Sequence, residues 1–560
     1  MLNAARIVVC SVTLVIFLDC FSSEPCHSQS VSRNFDFPKI VPVKCDTIWN
    51  PDNGDGTYTN PIIYADYSDP DVIRVGDNFY LISSSFSQFP GLPILHSNDL
   101  VNWLIIGHAV PRYPFGTFNL PQHGNGIWAP SLRYHNGEFY IYFGDPDNGI
   151  FMTKTKNPEG SWDSLILVRS AKGWIDPCPF WDDDGNAYLI HAWANSRSGI
   201  KSILTINRMS TAGTSLLDAG VTVFDGKVDQ PTIEGPKIYK RNGYYYVFAP
   251  AGGVKPGWQT VLRSKSIYGP YEVRKILEQG STLVNGPHQG AWVETQTGES
   301  WFIHFQDRDA YGRIVYLQPM RWNDDWPFVG EDFDGNGIGE PVARHRKPDV
   351  GRNYPVQVPQ TCDEFQTTTL GLQWQWESNP DSSWYSLQSR RGRLRLYSQV
   401  LTDTHMNLWT AGNIIGQKIP GPECSVTAKL DGDSLSDGET AGLVILGTDY
   451  SFIGIRKTND SVRVVEGVRV DAEKNGGDSE LVAAHVVKGQ VFLQLDVRCQ
   501  GLCSLRYSFD SERFYTLGDE FKAKAGKWVG ARLGLFSVRA AAPGRRGFAD
   551  FDWVRFQRLD

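Results

Sequence analysis

Three carboxylates stand at the heads of repeated units, in Asp69-Pro-Asp-Val, Asp176-Pro-Cys-Pro-Phe and Glu234-Gly-Pro-Lys-Ile. Each leads into a short apolar run, a turn at Gly76, Gly185 or Gly243, and an aromatic run carrying Tyr80, Tyr188 or Tyr245. Every acid precedes its tyrosine by eleven or twelve residues. Acids at matching places of a repeat can converge in space, and converging carboxylates perform acid–base chemistry. Two of them flanking a glycosidic bond can hydrolyse it, one protonating the leaving oxygen and the other activating water. A third is useful if it tunes and holds the proton donor. Glu234 has the longer reach and suits the donor, which leaves Asp69 as base and Asp176 as modulator. The competing reading is structural, since Asp-Pro opens turns and such acids can cap backbone amides. Asp71 also rivals Asp69, because residues two apart on a strand face the same side.

The repeat that positions these acids has five copies. Their polar turns hold Gly76, Gly137, Gly185, Gly243 and Gly298, at intervals of 48 to 61 residues. Each turn joins two runs of alternating apolar and aromatic residues, the signature of a hairpin. Hairpins recurring about every 50 residues predict a β-propeller with one four-stranded blade per copy, here five blades. The innermost strand of each blade lines the axis, so residues just before it gather at one mouth of the channel. The two blades without an acid bring Trp128-Ala-Pro-Ser and Gly286-Pro-His-Gln to that mouth. Trp128 can stack on a sugar ring, and His288 stands near the centre.

Beyond the repeats, residues 324–355 are rich in Gly, Asp and Pro and read as irregular. Short strands then follow at high density, among them Ser425-Val-Thr-Ala-Lys-Leu and Val491-Phe-Leu-Gln-Leu-Asp-Val. With no helical periodicity between them, they predict a β-sandwich. The chain is therefore all-β: an N-terminal export signal (1–23), a five-bladed β-propeller (24–345), a linker (346–359) and a β-sandwich (360–560).

Bulk properties fit this division. A chain of 560 residues exceeds one hydrophobic core. A net charge of −8 without any basic tract argues against nucleic acid as partner. Arg6 followed by the apolar run at residues 7–17 reads as a secretory signal too short to span a bilayer, with cleavage near Ser22 and Ser23. Secretion or a periplasmic location is expected, with no membrane span. Seven cysteines remain after such cleavage, so at least one is unpaired. Cys178 is the expected buried free thiol. Asp332-Phe-Asp-Gly-Asn-Gly imitates the opening of a calcium loop, but the twelfth position is Ala343, and it reads as a polar turn.

The stretch Asn60-Pro-Ile-Ile with Ser68-Asp-Pro-Asp-Val-Ile-Arg-Val-Gly, the Trp-Ala-Pro at 128 and Glu234-Gly-Pro-Lys-Ile-Tyr together resemble glycoside hydrolase family 43. Leu370-Gly-Leu-Gln-Trp-Gln-Trp and Ala549-Asp-Phe-Asp-Trp resemble the concanavalin-like sandwich of its β-xylosidase and α-L-arabinofuranosidase branch. The resemblance implies an inverting five-bladed enzyme with Asp69 as general base, Asp176 as modulator and Glu234 as general acid, and it favours Asp69 over Asp71. It also implies that His288 faces the channel or a bound cation and that Arg313 lies near substrate. Xylan, arabinan or other hemicellulose oligosaccharides are the implied partners. No cofactor is required, and a structural Ca2+ ion is compatible. Pro177-Cys178-Pro179 departs from the small residues usual after the modulator. The cross-class alternative is a non-catalytic sugar-binding propeller with a sandwich module.

Overall fold

The computed structural model describes residues 47–401, 407–459, 461–474, 478–486, 490–540 and 544–559. The expected export signal lies outside the described residues. Five four-stranded antiparallel sheets follow one another in chain order, each pairing its strands consecutively. Their first strands are Asp71–Val75, Trp128–His135, Trp174–Trp181, Lys237–Arg241 and His288–Glu294. These are the five blades expected from the repeat. All five turn glycines take left-handed backbone conformations, with φ between 62° and 88°. In blades 2 and 4 an asparagine precedes the glycine with φ of 50°, giving the Asn-Gly turn whose twist suits a two-residue hairpin.

The apolar faces of neighbouring blades share buried clusters. Ile82, Ile94 and Phe143 join blades 1 and 2, and Ile190, Leu204 and Val247 join blades 3 and 4. The ring closes where Val72 and Leu81 of blade 1 meet Val293, Trp301 and Val315 of blade 5. The entering chain seals that seam. Asn60 donates through Nδ2 to the carbonyls of Leu317 and Val342, and its Oδ1 accepts from the Leu317 amide.

The structure departs from the sequence reading after residue 323. Trp326–Val329 is the fourth strand of blade 5, inside the stretch read as irregular. Its turn is made by Asp324 and Asp325 at φ of 49° and 58°. No glycine marks it, and Pro327 is tolerated because the strand lies at the sheet edge. Further on, Lys347 Nζ reaches Asp52 Oδ2 (2.6 Å) and Asp99 Oδ2 (2.9 Å), tying the segment after the propeller to blade 1.

From residue 375 onward a seven-stranded and an eight-stranded sheet face each other. Val426, Ala428, Leu443, Leu493, Leu535 and Phe551 fill the space between them. The same cluster takes in Tyr311, Ile314 and Tyr316 of the propeller, so the two domains share apolar core. The Phe89 and Trp376 backbones exchange two hydrogen bonds across the junction. No helix among the described residues is long and apolar enough to cross a membrane. Cys178 is free and buried, as expected; Cys424, Cys499 and Cys503 are also free, and Cys362 is disulfide-bonded.

Candidate active site

Each blade enters its first strand through one left-handed residue: Asp69 (φ 54°), Ala129 (34°), Asp176 (56°), Gly235 (58°) and Gln289 (39°). Proline follows in the first four and Gly290 in the fifth. At Trp128/Ser131, Ile175/Cys178 and His288/Ala291 the pairing register shifts around this step, a bulge that re-aims side chains. Non-glycine residues in this conformation are strained by roughly 1–3 kcal/mol each, and such strain concentrates at functional sites.

This register corrects the equivalence of the three acids. Asp69 and Asp176 are themselves the left-handed residues of blades 1 and 3. Glu234 stands one residue earlier, before Gly235, at the step occupied by Trp128 in blade 2 and His288 in blade 5. Glu234 and His288 are thus counterparts on adjacent blades, and their side chains meet, with His288 Nε2 3.0 Å from Glu234 Oε1.

Two residues beyond the left-handed step, Asp71, Ser131, Cys178, Lys237 and Ala291 form the next layer around the axis. Lys237 Nζ donates to Ser131 Oγ (2.7 Å) and the Pro130 carbonyl (2.9 Å). Asp71 Oδ2 accepts from the Leu132 amide and Arg133 Nη1, each at 2.8 Å. Arg133 Nη2 also approaches Cys178 Sγ at 2.9 Å. Asp71 is fully enclosed here, with Oδ2 taken up by these contacts.

The three acids are furnished differently. Asp69 Oδ1 accepts from Arg313 Nη1 at 2.8 Å, and its Oδ2 accepts from Ser84 Oγ at 2.6 Å and Ser68 Oγ at 3.0 Å. Ser84 Oγ itself accepts from the Ala129 amide, so blade 2 steadies the blade 1 carboxylate. Asp176 is buried and accepts the Gly235 amide at 2.8 Å. Burial first, then the charge of Glu234 and more weakly that of Asp69, push its carboxyl up to about 8. Those charges act because the three acids share one space. The side chain of Glu234 is 31% exposed, so it alone of the three faces open solvent.

Arg313 is buried with its guanidinium 4.8 Å from the centre of the Phe305 ring. Trp128 is half-buried and donates through Nε1 to the Gly124 carbonyl. Arg197, anchored on Asp147 and Asn125, lies 5.8 Å from its ring. All six residues singled out in the sequence therefore line or support one mouth. The sequence reading misses Trp528, which comes from the sandwich, is 53% exposed and meets the Trp128 ring edge-on at 6.0 Å. With Gly312, Arg313 and Lys527 it lines a cleft that opens between blade 5 and the sandwich. Nothing local in the sequence ties residue 528 to blade 2. Ser84 is likewise missed, as one serine in a run of three.

Residues 58–327 match glycosyl hydrolases family 43, and residues 362–557 match the beta xylosidase C-terminal concanavalin A-like domain. A putative beta-xylosidase from Xylanibacter ruminicola is 42% identical over 89% of this chain and 89% of its own length. The chain belongs to glycosyl hydrolases family 43. It lies in the branch that carries the concanavalin A-like domain, and it is a glycoside hydrolase. Another relative, a non-reducing end alpha-L-arabinofuranosidase from Bacteroides ovatus, is 29% identical over 90% of this chain and 95% of its own. The crystal structure of a family 43 protein from Bacillus licheniformis superposes with a TM-score of 0.76 at 30% identity, covering 90% of this chain and all of that one.

Proposed function

We propose that this family 43 protein is a secreted or periplasmic inverting exo-glycosidase that releases β-D-xylosyl or α-L-arabinofuranosyl units from hemicellulose-derived glycans. The observation that carries the reading is the differing support of three carboxyls at one mouth. Asp69 is gripped by an arginine and two hydroxyls, Asp176 is buried against a backbone amide, and Glu234 is partly open beside a histidine.

In this mechanism Glu234 gives its proton to the leaving glycosidic oxygen. Asp69 draws a proton from a water on the opposite face of the sugar, and that water attacks the anomeric carbon, so the configuration inverts. Asp176 takes its hydrogen bond from Gly235, the neighbour of Glu234, and so fixes the donor's backbone. Asp176, its carboxyl pushed up to about 8 by burial and by the charge of Glu234, stays protonated at neutral pH and so sets no second negative charge beside the donor. His288 orients Glu234, Arg313 orients Asp69, and Trp128 with Trp528 offers aromatic faces to the sugars. No cofactor enters these steps.

Xylose and arabinofuranose present similar hydroxyl patterns to one pocket, and the relatives' names include both activities. Nitrophenyl β-D-xyloside and nitrophenyl α-L-arabinofuranoside assayed side by side test the reading. Hydrolysis of at least one, abolished in Glu234→Ala with the fold intact, supports it. Turnover surviving in Glu234→Ala sinks it. Binding of xylo-oligosaccharide without any turnover would favour a sugar-binding propeller instead.

A further inference from the structure

Asp66, three residues before Asp69, is 6% exposed, and its two carboxylate oxygens serve different domains. Oδ1 accepts the backbone amide of Arg313 at 2.8 Å, within blade 5. Oδ2 accepts the amide of Gly530 at 2.9 Å, within the sandwich. The same short segment holds Arg313 by three further contacts. The Tyr67 amide donates to the Arg313 carbonyl, and Arg313 Nη1 donates to Ser68 Oγ and to Asp69 Oδ1. Residues 66–69 thus clasp Arg313 from backbone to guanidinium, and the clasp is anchored in the sandwich.

The anchor leaves no slack. A Cβ added to Gly530 would lie 2.7 Å from the Gly312 nitrogen, 2.8 Å from the Tyr311 carbonyl carbon and 2.9 Å from the Ala310 oxygen. A Cβ on Gly312, whose φ is 71°, would overlap the Asp66 carboxyl. The Ala531 amide closes the contact by donating to the Ala310 carbonyl at 2.7 Å. Two residues before Gly530, Trp528 stands 5.8 Å from the Arg313 guanidinium. A carboxylate accepting two backbone amides makes short, strong bonds, and removing it leaves both donors buried and unsatisfied.

We propose that Asp66 is a positioning residue that couples the sandwich to the active site, holding Arg313 on Asp69 and the Trp528 segment over the mouth through its two oxygens. The sandwich is then a working part of the site and no detachable module. This rests on the reading of Asp69 and Arg313 as residues of the hydrolytic site.

The test is a double-mutant cycle in the full-length protein, with Asp66→Asn and Gly530→Ala each made alone and on Arg313→Ala. Asp66→Asn keeps size and one acceptor, and Gly530→Ala perturbs the clasp from the sandwich side, so a folding defect in one leaves the other to decide. Each single change is expected to lower kcat/KM by about ten- to a hundredfold, the scale of a 1 Å misplacement. On Arg313→Ala each is expected to cost under about threefold, because their effect passes through that side chain. Amide exchange read by mass spectrometry is expected to rise together in peptides covering residues 308–313 and 525–531. Additive losses overturn the proposal, as does unchanged exchange in either peptide. If the parent protein hydrolyses neither pentoside, the functional reading fails, and the exchange data still judge the clasp.

Discussion

His288 Nε2 stands 3.0 Å from Glu234 Oε1, and the two residues occupy the same step of adjacent blades. The propeller repeat thus brings a general-acid candidate and its orienting group together without any long-range loop. Arg313 and Asp69 make the corresponding pair on the other side of the mouth at 2.8 Å.

His288→Ala removes the group that fixes Glu234. It is expected to lower kcat by about ten- to a hundredfold while KM changes little, since the contact orients a proton donor. Steady-state kinetics on the better pentoside, with circular dichroism as control for folding, measures it. A change confined to KM would assign His288 to sugar binding.

The pH dependence follows from the crowded acids. The Asp176 carboxyl is pushed up to about 8 by burial and by the charge of Glu234. As pH rises through about 8 Asp176 loses its proton, and the negative charge it then sets beside Glu234 disturbs proton donation to the leaving group. The alkaline limb of kcat/KM is therefore expected near pH 8, and Asp176→Asn is expected to displace it and to depress kcat. A limb unmoved in Asp176→Asn would detach Asp176 from the donor.

Trp528→Ala is expected to raise KM by about three- to tenfold with kcat nearly unchanged, the scale of one lost aromatic stacking contact. Longer oligosaccharides are expected to feel the change more than nitrophenyl glycosides, because Trp528 lies at the outer wall of the mouth. Equal kinetics for wild type and variant on both substrate classes would remove Trp528 from the site.

Within the sandwich, Glu466 is 2% exposed, and neither carboxylate oxygen has a hydrogen-bond partner among the described residues. It points at Gly518 of the opposing sheet, where a Cβ would overlap Glu466 Oε2. Burial, with Asp519 adding repulsion, raises its carboxyl from 4.5 to about 7. Between those values the folded protein holds a proton that the unfolded chain has released, so stability falls as pH rises from 4.5 to about 7. Glu466→Gln removes this dependence. Its melting temperature is expected to match wild type at pH 4.5 and to exceed it by several degrees at pH 8. Thermal unfolding at the two pH values checks this, and equal curves at pH 8 would contradict it.

Much of this architecture is legible in the sequence because its punctuation is chemical. Gly76, Gly137, Gly185, Gly243 and Gly298 each occupy a φ that other residues avoid, so they count the blades. The strand Trp326–Val329 escapes that count because Asp324 and Asp325 take the left-handed turn instead. The acids are legible through the Pro or Gly-Pro that follows them. Their true alignment is not, since it depends on which residue turns left-handed, and Gly235 rather than Glu234 does so. Trp528 and Asp66 act through contacts between distant stretches of chain, which no local pattern encodes.

In the proposed mechanism Asp69 and Glu234 act on opposite faces of one pentosyl ring. Proton NMR of the first sugar released by the wild-type protein reads this directly. Inversion releases α-xylose from nitrophenyl β-D-xyloside before mutarotation, and the β-anomer from nitrophenyl α-L-arabinofuranoside. First release of β-xylose or α-arabinofuranose would mean retention and contradict it.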